Sequence, residues 1–135
     1  MNKILVVGPT FYKICLDVQQ FDQLGSNSGH AETSVTGASI DIAAELSELG
    51  CDVMLATSLN TPVSTAVTAI GRAKRFDTSY SYIEPYGLGL IVDHNVTGSE
   101  HRYIRQHPCM TQCIANLVSE WPEDVDLVIM LYSCA

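Results

Sequence analysis

The run KILVVG, Lys3 to Gly8, restricts what this chain can fold into more than any other stretch. Ile4, Leu5, Val6 and Val7 are consecutive and apolar, so a strand built from them has no polar face to turn to water and must be covered on both sides. Gly8 and Pro9 end it. A second run of this kind, CDVMLATSL, occupies residues 51–59. Between the two lies TGASIDIAAELSELG, residues 36–50, in which Ile40, Ala43, Ala44 and Ser47 recur at helical spacing. Ile42, Leu46 and Leu49 widen that face, and Gly50 is placed to stop the helix. A further helix is expected over TPVSTAVTAIGRAKRF, with Thr61 as its cap and Pro62 at its first position. Strand, helix, strand, helix predicts an α/β fold with parallel strands and right-handed crossovers.

Other segments do not fit that alternation. KICLDV alternates, with Ile14, Leu16 and Val18 opposite Lys13, Cys15 and Asp17, as a half-exposed strand does. QLGSNSGHAE reads as a mobile loop, and AETSV alternates weakly after it. DTSYSYIE is a third strand candidate. LGLIVDHNVTGSEHRYI splits into two strands, 88–93 and 99–104, around the turn HNVTG, the pattern of an inserted β-hairpin. In MTQCIANLVSEW, Cys113, Leu117 and Trp121 are four apart with Ile114 and Val118 alongside, which predicts a third helix. VDLVIMLYSCA is an apolar strand.

The formal net charge of -8 argues against a nucleic-acid binder, since Lys and Arg supply most of the attraction to phosphate backbones. No apolar run is long enough to span a bilayer and the first residues do not form a signal peptide, so a cytoplasmic location is expected. Charged residues make up 16% of the chain against a usual share of about a quarter, leaving apolar surface available to a partner. Five cysteines, mostly inside apolar segments, favour reduced thiols over disulfides. HPCMTQC matches no standard zinc spacing. YGLGL leads into a strand and lacks a third glycine, which excludes a dinucleotide fingerprint. Arg72, Lys74 and Arg75 read as a solvated helix end, His94, His101 and Arg102 as exposed hairpin residues, and Asn95 as a turn residue.

In order, ILVVG, TGASIDIAAELSELGCDVMLAT, FDTSY and GLGLIVDHNVTGSEHRYI resemble the N-terminal half of the ribokinase-like (PfkB) carbohydrate and nucleoside kinases over almost the whole chain. The resemblance implies a three-layer α/β fold, truncated, forming a single partial domain over residues 1–135, with lid strands near 13–18, 31–35 and 88–104. It implies substrate contacts at Lys13, Gly37, Ala38 and Asp41. Three of the family's features are altered. Thr36 and Gly37 stand where the family has two glycines, Asp41 where it has an asparagine, and Lys13 where it has a substrate-binding aspartate. SLNTPVST replaces the common GDD stretch, and an acidic residue found in some members falls near Ser133.

In that family the anion-hole glycines, the catalytic aspartate and most of the nucleotide site lie in the C-terminal half. The resemblance therefore implies ATP and Mg²⁺ only for a full-length kinase, with no cofactor, metal or catalytic residue assigned to this chain and no phosphoryl transfer by it alone. The expected function is the substrate-side half of a sugar or nucleoside kinase. A non-catalytic binding or oligomerisation module on the same fold is the alternative, with self-association through the lid or the strand at 126–133.

Overall fold

The computed structural model describes residues 2–18, 29–84, 89–96 and 100–131. Its elements run β1 (Lys3–Val7), β2 (Phe11–Val18), β3 (Gly29–Thr36), α1 (Ala38–Glu48), β4 (Asp52–Ala56) and β5 (Ser58–Leu59). They continue as α2 (Thr61–Lys74), β6 (Tyr82–Ile83), β7 (Leu90–Val96), β8 (Glu100–Gln106), α3 (Thr111–Ser119) and β9 (Leu127–Met130). Residues 85–87, 19–28, 97–99 and Ser133 fall outside the described residues; His94, Asn95 and Val96, expected in the hairpin turn, instead continue β7 opposite Arg102, His101 and Glu100, and Gly29 to Glu32, expected in the loop, belong to β3.

β1 is the centre of a parallel sheet of order β4-β1-β9, with Leu5 opposite Met54 on one side and Val128 on the other. Both of its faces are covered, as its unbroken apolar run requires. Ile4 and Val6, with Val53 and Leu55, face α1 and α2 through Ile40, Ala43, Val63 and Val67. Leu5 and Val7, with Met54 and Ala56, face Met110, Cys113 and Leu117 on the α3 side. Helices thus lie on both faces of the sheet, a three-layer arrangement. Each fully buried Leu or Val side chain contributes about 1.5–3 kcal/mol to it.

Beside this layer stands a four-stranded sheet of order β3-β2-β7-β8. Its outer pairs are antiparallel and its central pair, β2 with β7, is parallel. Phe11 and Ile91 are buried, whereas β3 is largely exposed. No helix among the described residues is long and apolar enough to cross a membrane.

α1 ends as its glycine predicts. Gly50 has φ 92, its N–H donates to the Ser47 carbonyl, and the Cys51 N–H donates to Leu46, a Schellman closure. Leu49, expected on the packed face, is 80% exposed, because as the C-cap it has already left the helical face. α2 begins one residue earlier than expected. Asn60 is its N-cap, and its carbonyl accepts from the Val63 and Ser64 N–H groups.

DTSYSYIE does not form a third full strand. Asp77 makes a single bridge to Met54, and Tyr82–Ile83 pairs only with β5. The cause is local: the Asp77 carboxylate accepts from the Ser79 N–H at 2.8 Å and from its hydroxyl at 2.9 Å, holding a turn where a ladder would have to continue. α3 also stops short of Trp121, which is 49% exposed. Trp121 precedes Pro122, and a residue before proline is disfavoured in helical conformation. Val118, expected alongside the packed face, is 69% exposed.

Candidate functional site

β1 and β4 are parallel, so their C-terminal ends open on the same edge of the layer, where open α/β sheets place ligands. The chain leaves β1 through Gly8, Pro9 and Thr10 and crosses directly into β2 of the four-stranded sheet, which holds the strands expected as a lid and is called the lid sheet below. A buried hydroxyl cluster fixes this junction. Thr57 donates to Thr10 Oγ1 at 3.3 Å, and Thr10 donates to the Ser58 carbonyl at 3.3 Å. Ser39, in the first turn of α1, donates to the Pro9 carbonyl at 2.8 Å.

Between this junction, the lid sheet and the start of α1 lies a cavity of about 330 Å³. Lys13, Gly37 and Ala38 line it together. Gly37 is the N-cap of α1, with φ 154 and no side chain capping the first N–H groups of the helix, and the first-turn residues Ala38 and Ser39 line the cavity. A Cβ at Gly37 would sit 2.8 Å from the Pro9 carbonyl oxygen. Only glycine fits there.

Asp41 is not brought into this set. It lies one turn into α1, exposed, outside the cavity lining, where its charge still complements the positive end of the helix.

Arg105, His107, Phe11 and Ile91 also line the cavity, and sequence reasoning missed all four. Phe11 organises two of them. The Arg105 guanidinium carbon stands 5.7 Å from its ring centroid, and the His107 ring meets it edge-on at 5.6 Å and 71°. The signal that could have found Arg105 is the hairpin register, which puts it opposite Ile91. A second and larger hollow of about 560 Å³ lies along α2, with Ser64, Thr68, Arg72 and Ser81 on its walls. It is the shallower of the two, and none of the expected substrate residues reaches it.

HPCMTQC is split by the fold. Cys113 is on the buried face of α3, and desolvation pushes its thiol up to about 11 against a weaker opposing hydrogen bond involving the Tyr82 backbone. Cys109 is exposed. Among the described residues no group of three or more His, Cys, Asp or Glu is placed to hold a metal ion.

No family model matches the sequence, and no curated protein matches it either. Solved structures do. A carbohydrate kinase from Agrobacterium tumefaciens superposes with a TM-score of 0.74 at 17% identity, covering 96% of this chain and 45% of that one. The Methanocaldococcus jannaschii nucleoside kinase, an archaeal member of the ribokinase family, gives 0.72 at 16%, covering 96% and 44%. A Burkholderia thailandensis nucleoside kinase in complex with inosine gives 0.68 at 16%, covering 93% and 41%.

The fold is thus that of the ribokinase-like kinases, as the motif order implied. The chain spans less than half the length of these neighbours, in keeping with the N-terminal half of that fold.

Proposed function

We propose that this chain is the acceptor-binding part of a ribokinase-like sugar or nucleoside kinase, with the acceptor held in the cavity between the lid sheet and the start of α1. The observation that carries this reading is the convergence of Lys13, Gly37 and Ala38 on one cavity at the C-terminal edge of the parallel strands. Neighbours of this fold include carbohydrate and nucleoside kinases, one of them in complex with inosine. In this reading ATP and Mg²⁺ are not held by these residues, and phosphoryl transfer needs structure from elsewhere. Thermal unfolding in the presence of sugars, nucleosides and their phosphates tests it, because a ligand that binds only the folded state raises the midpoint. A midpoint unmoved by every compound overturns it.

The alternative, a non-catalytic assembly module, draws support from β9. Among the described residues this strand pairs with β1 alone, and Leu127 and Met130 are 51% and 55% exposed. Unpaired strand edges with apolar side chains favour association. Light scattering would then show a dimer or larger species that Met130→Lys dissociates, and a monomer at high concentration contradicts it.

A further inference from the structure

The cavity carries a charge opposite to that of the molecule around it. The chain has a formal net charge of -8, yet among the described residues the titratable side chains lining the cavity are Lys13, Arg105 and His107, with no Asp or Glu beside them. Register explains the clustering. Lys13 on β2 is opposite Ile91 on β7, and Ile91 is opposite Arg105 on β8, so the three form one row across the lid sheet. Neighbouring strands are about 4.8 Å apart, which puts the two cationic residues' backbones roughly 10 Å apart on the same face, with Ile91 as the floor between them. Both side chains are long enough to reach a group lying over Ile91.

Phe11 holds the other half of the arrangement. The ring is buried, with the Arg105 guanidinium over it and the His107 imidazole meeting it edge-on. In the next row along the sheet Cys15 stands between two carboxylates, Glu32 on β3 and Asp93 on β7, and its thiol donates to Asp93 at 3.9 Å. On the facing wall stands the N-terminal turn of α1, whose N–H groups and dipole favour negative charge. Two cationic side chains, an imidazole and a helix start therefore converge from separate elements on one cavity of about 330 Å³. A volume of that order admits a sugar bearing one phosphate.

The chemistry of Lys13 points the same way. An ammonium donates hydrogen bonds and cannot accept them, so it cannot take a hydrogen bond from a sugar hydroxyl as a carboxylate does, but it attracts an anion. Arg105 adds a planar guanidinium suited to two phosphate oxygens. We propose that the acceptor is a phosphate-bearing sugar or nucleoside, its phosphate seated over Ile91 between Lys13 and Arg105, and not a neutral sugar. This rests on the acceptor-binding reading above.

The test is a titration of the chain with ribose 5-phosphate, fructose 6-phosphate and adenosine monophosphate, beside ribose, fructose, adenosine and inorganic phosphate. The expected result is binding of at least one phosphorylated compound about tenfold or more tighter than its neutral parent and than inorganic phosphate. Lys13→Gln and Arg105→Gln should each weaken it by about tenfold, the range for losing a charge-assisted hydrogen bond, and Lys13→Arg should retain most of it. Unliganded unfolding midpoints show whether each variant is folded. Neutral and phosphorylated compounds binding equally, with Lys13→Gln without effect, would overturn the phosphate assignment and leave acceptor binding intact. Inorganic phosphate binding as tightly as any sugar phosphate would also overturn it. Binding of none of them overturns the acceptor reading itself, and this inference with it.

Discussion

Ser39 Oγ donates to the Pro9 carbonyl oxygen at 2.8 Å, tying the first turn of α1 to the crossing from β1 into the lid sheet. The bond joins two walls of the cavity, and Ser39 is buried. Ser39→Ala removes the donor and leaves the carbonyl to find another partner. The expected destabilisation is about 1–2 kcal/mol, seen as a lower urea midpoint with an unchanged slope. An unchanged midpoint would show that the bond contributes nothing.

Gly37→Val is expected to do more. The added Cβ meets the Pro9 carbonyl oxygen at 2.8 Å, and because that oxygen is backbone it cannot rotate aside, so α1 must shift away from the junction. The strain is of the order of 1–3 kcal/mol. Circular dichroism should show a folded protein with a reduced melting temperature, and ligand-induced stabilisation should vanish. Full retention of ligand response would mean that the start of α1 is not part of the site.

Two leucines separate core from surface. Leu55 on β4 is fully buried against α1 and α2, and Leu55→Ala should cost about 2–5 kcal/mol. Leu49→Ala at the exposed C-cap should stay within about 0.5 kcal/mol. Denaturant titration of the two variants checks both.

Cys113 makes alkaline stability measurable. Burial raises its pKa in the folded state to about 11 from an ordinary 9.0, so folding favours the protonated thiol. The stabilisation from keeping this thiol protonated is fully present below pH 9 and is lost as pH rises toward 11. Melting temperatures should fall across that window in the native protein and fall less steeply in Cys113→Ala. At pH 8, alkylation should modify exposed Cys109 well before Cys113. Equal slopes in the two proteins, or Cys113 reacting first, would contradict this placement.

The layered core was legible because its signals are local. Ile4 to Val7 and Val53 to Ala56 are apolar on both faces, and Gly50 marks the end of α1 in the sequence itself. The 77–84 segment misled for a local reason too: the Asp77 side chain captures Ser79 and turns the chain, a choice that alternation of Tyr80 and Tyr82 does not reveal. Of the residues lining the candidate cavity, some were legible in the sequence. Gly37 and Ala38 sit at a recognisable strand-to-helix junction, and Lys13 was reached through the resemblance. Asp41 followed from the same resemblance but lies exposed outside the cavity. Arg105 and His107 were not visible, because only the parallel pairing of β2 with β7, remote in sequence, sets Arg105 in the row with Lys13.

The central claim is that a ligand occupies the space between the lid sheet and α1. Backbone amide chemical shifts recorded while ribose 5-phosphate and adenosine are added in turn test it most directly. The account predicts saturable changes centred on Lys13, Gly37 to Ser39 and Arg105 with at least one of the two. Changes centred on Ser64, Thr68 and Arg72 along α2, or none with either compound, would contradict it.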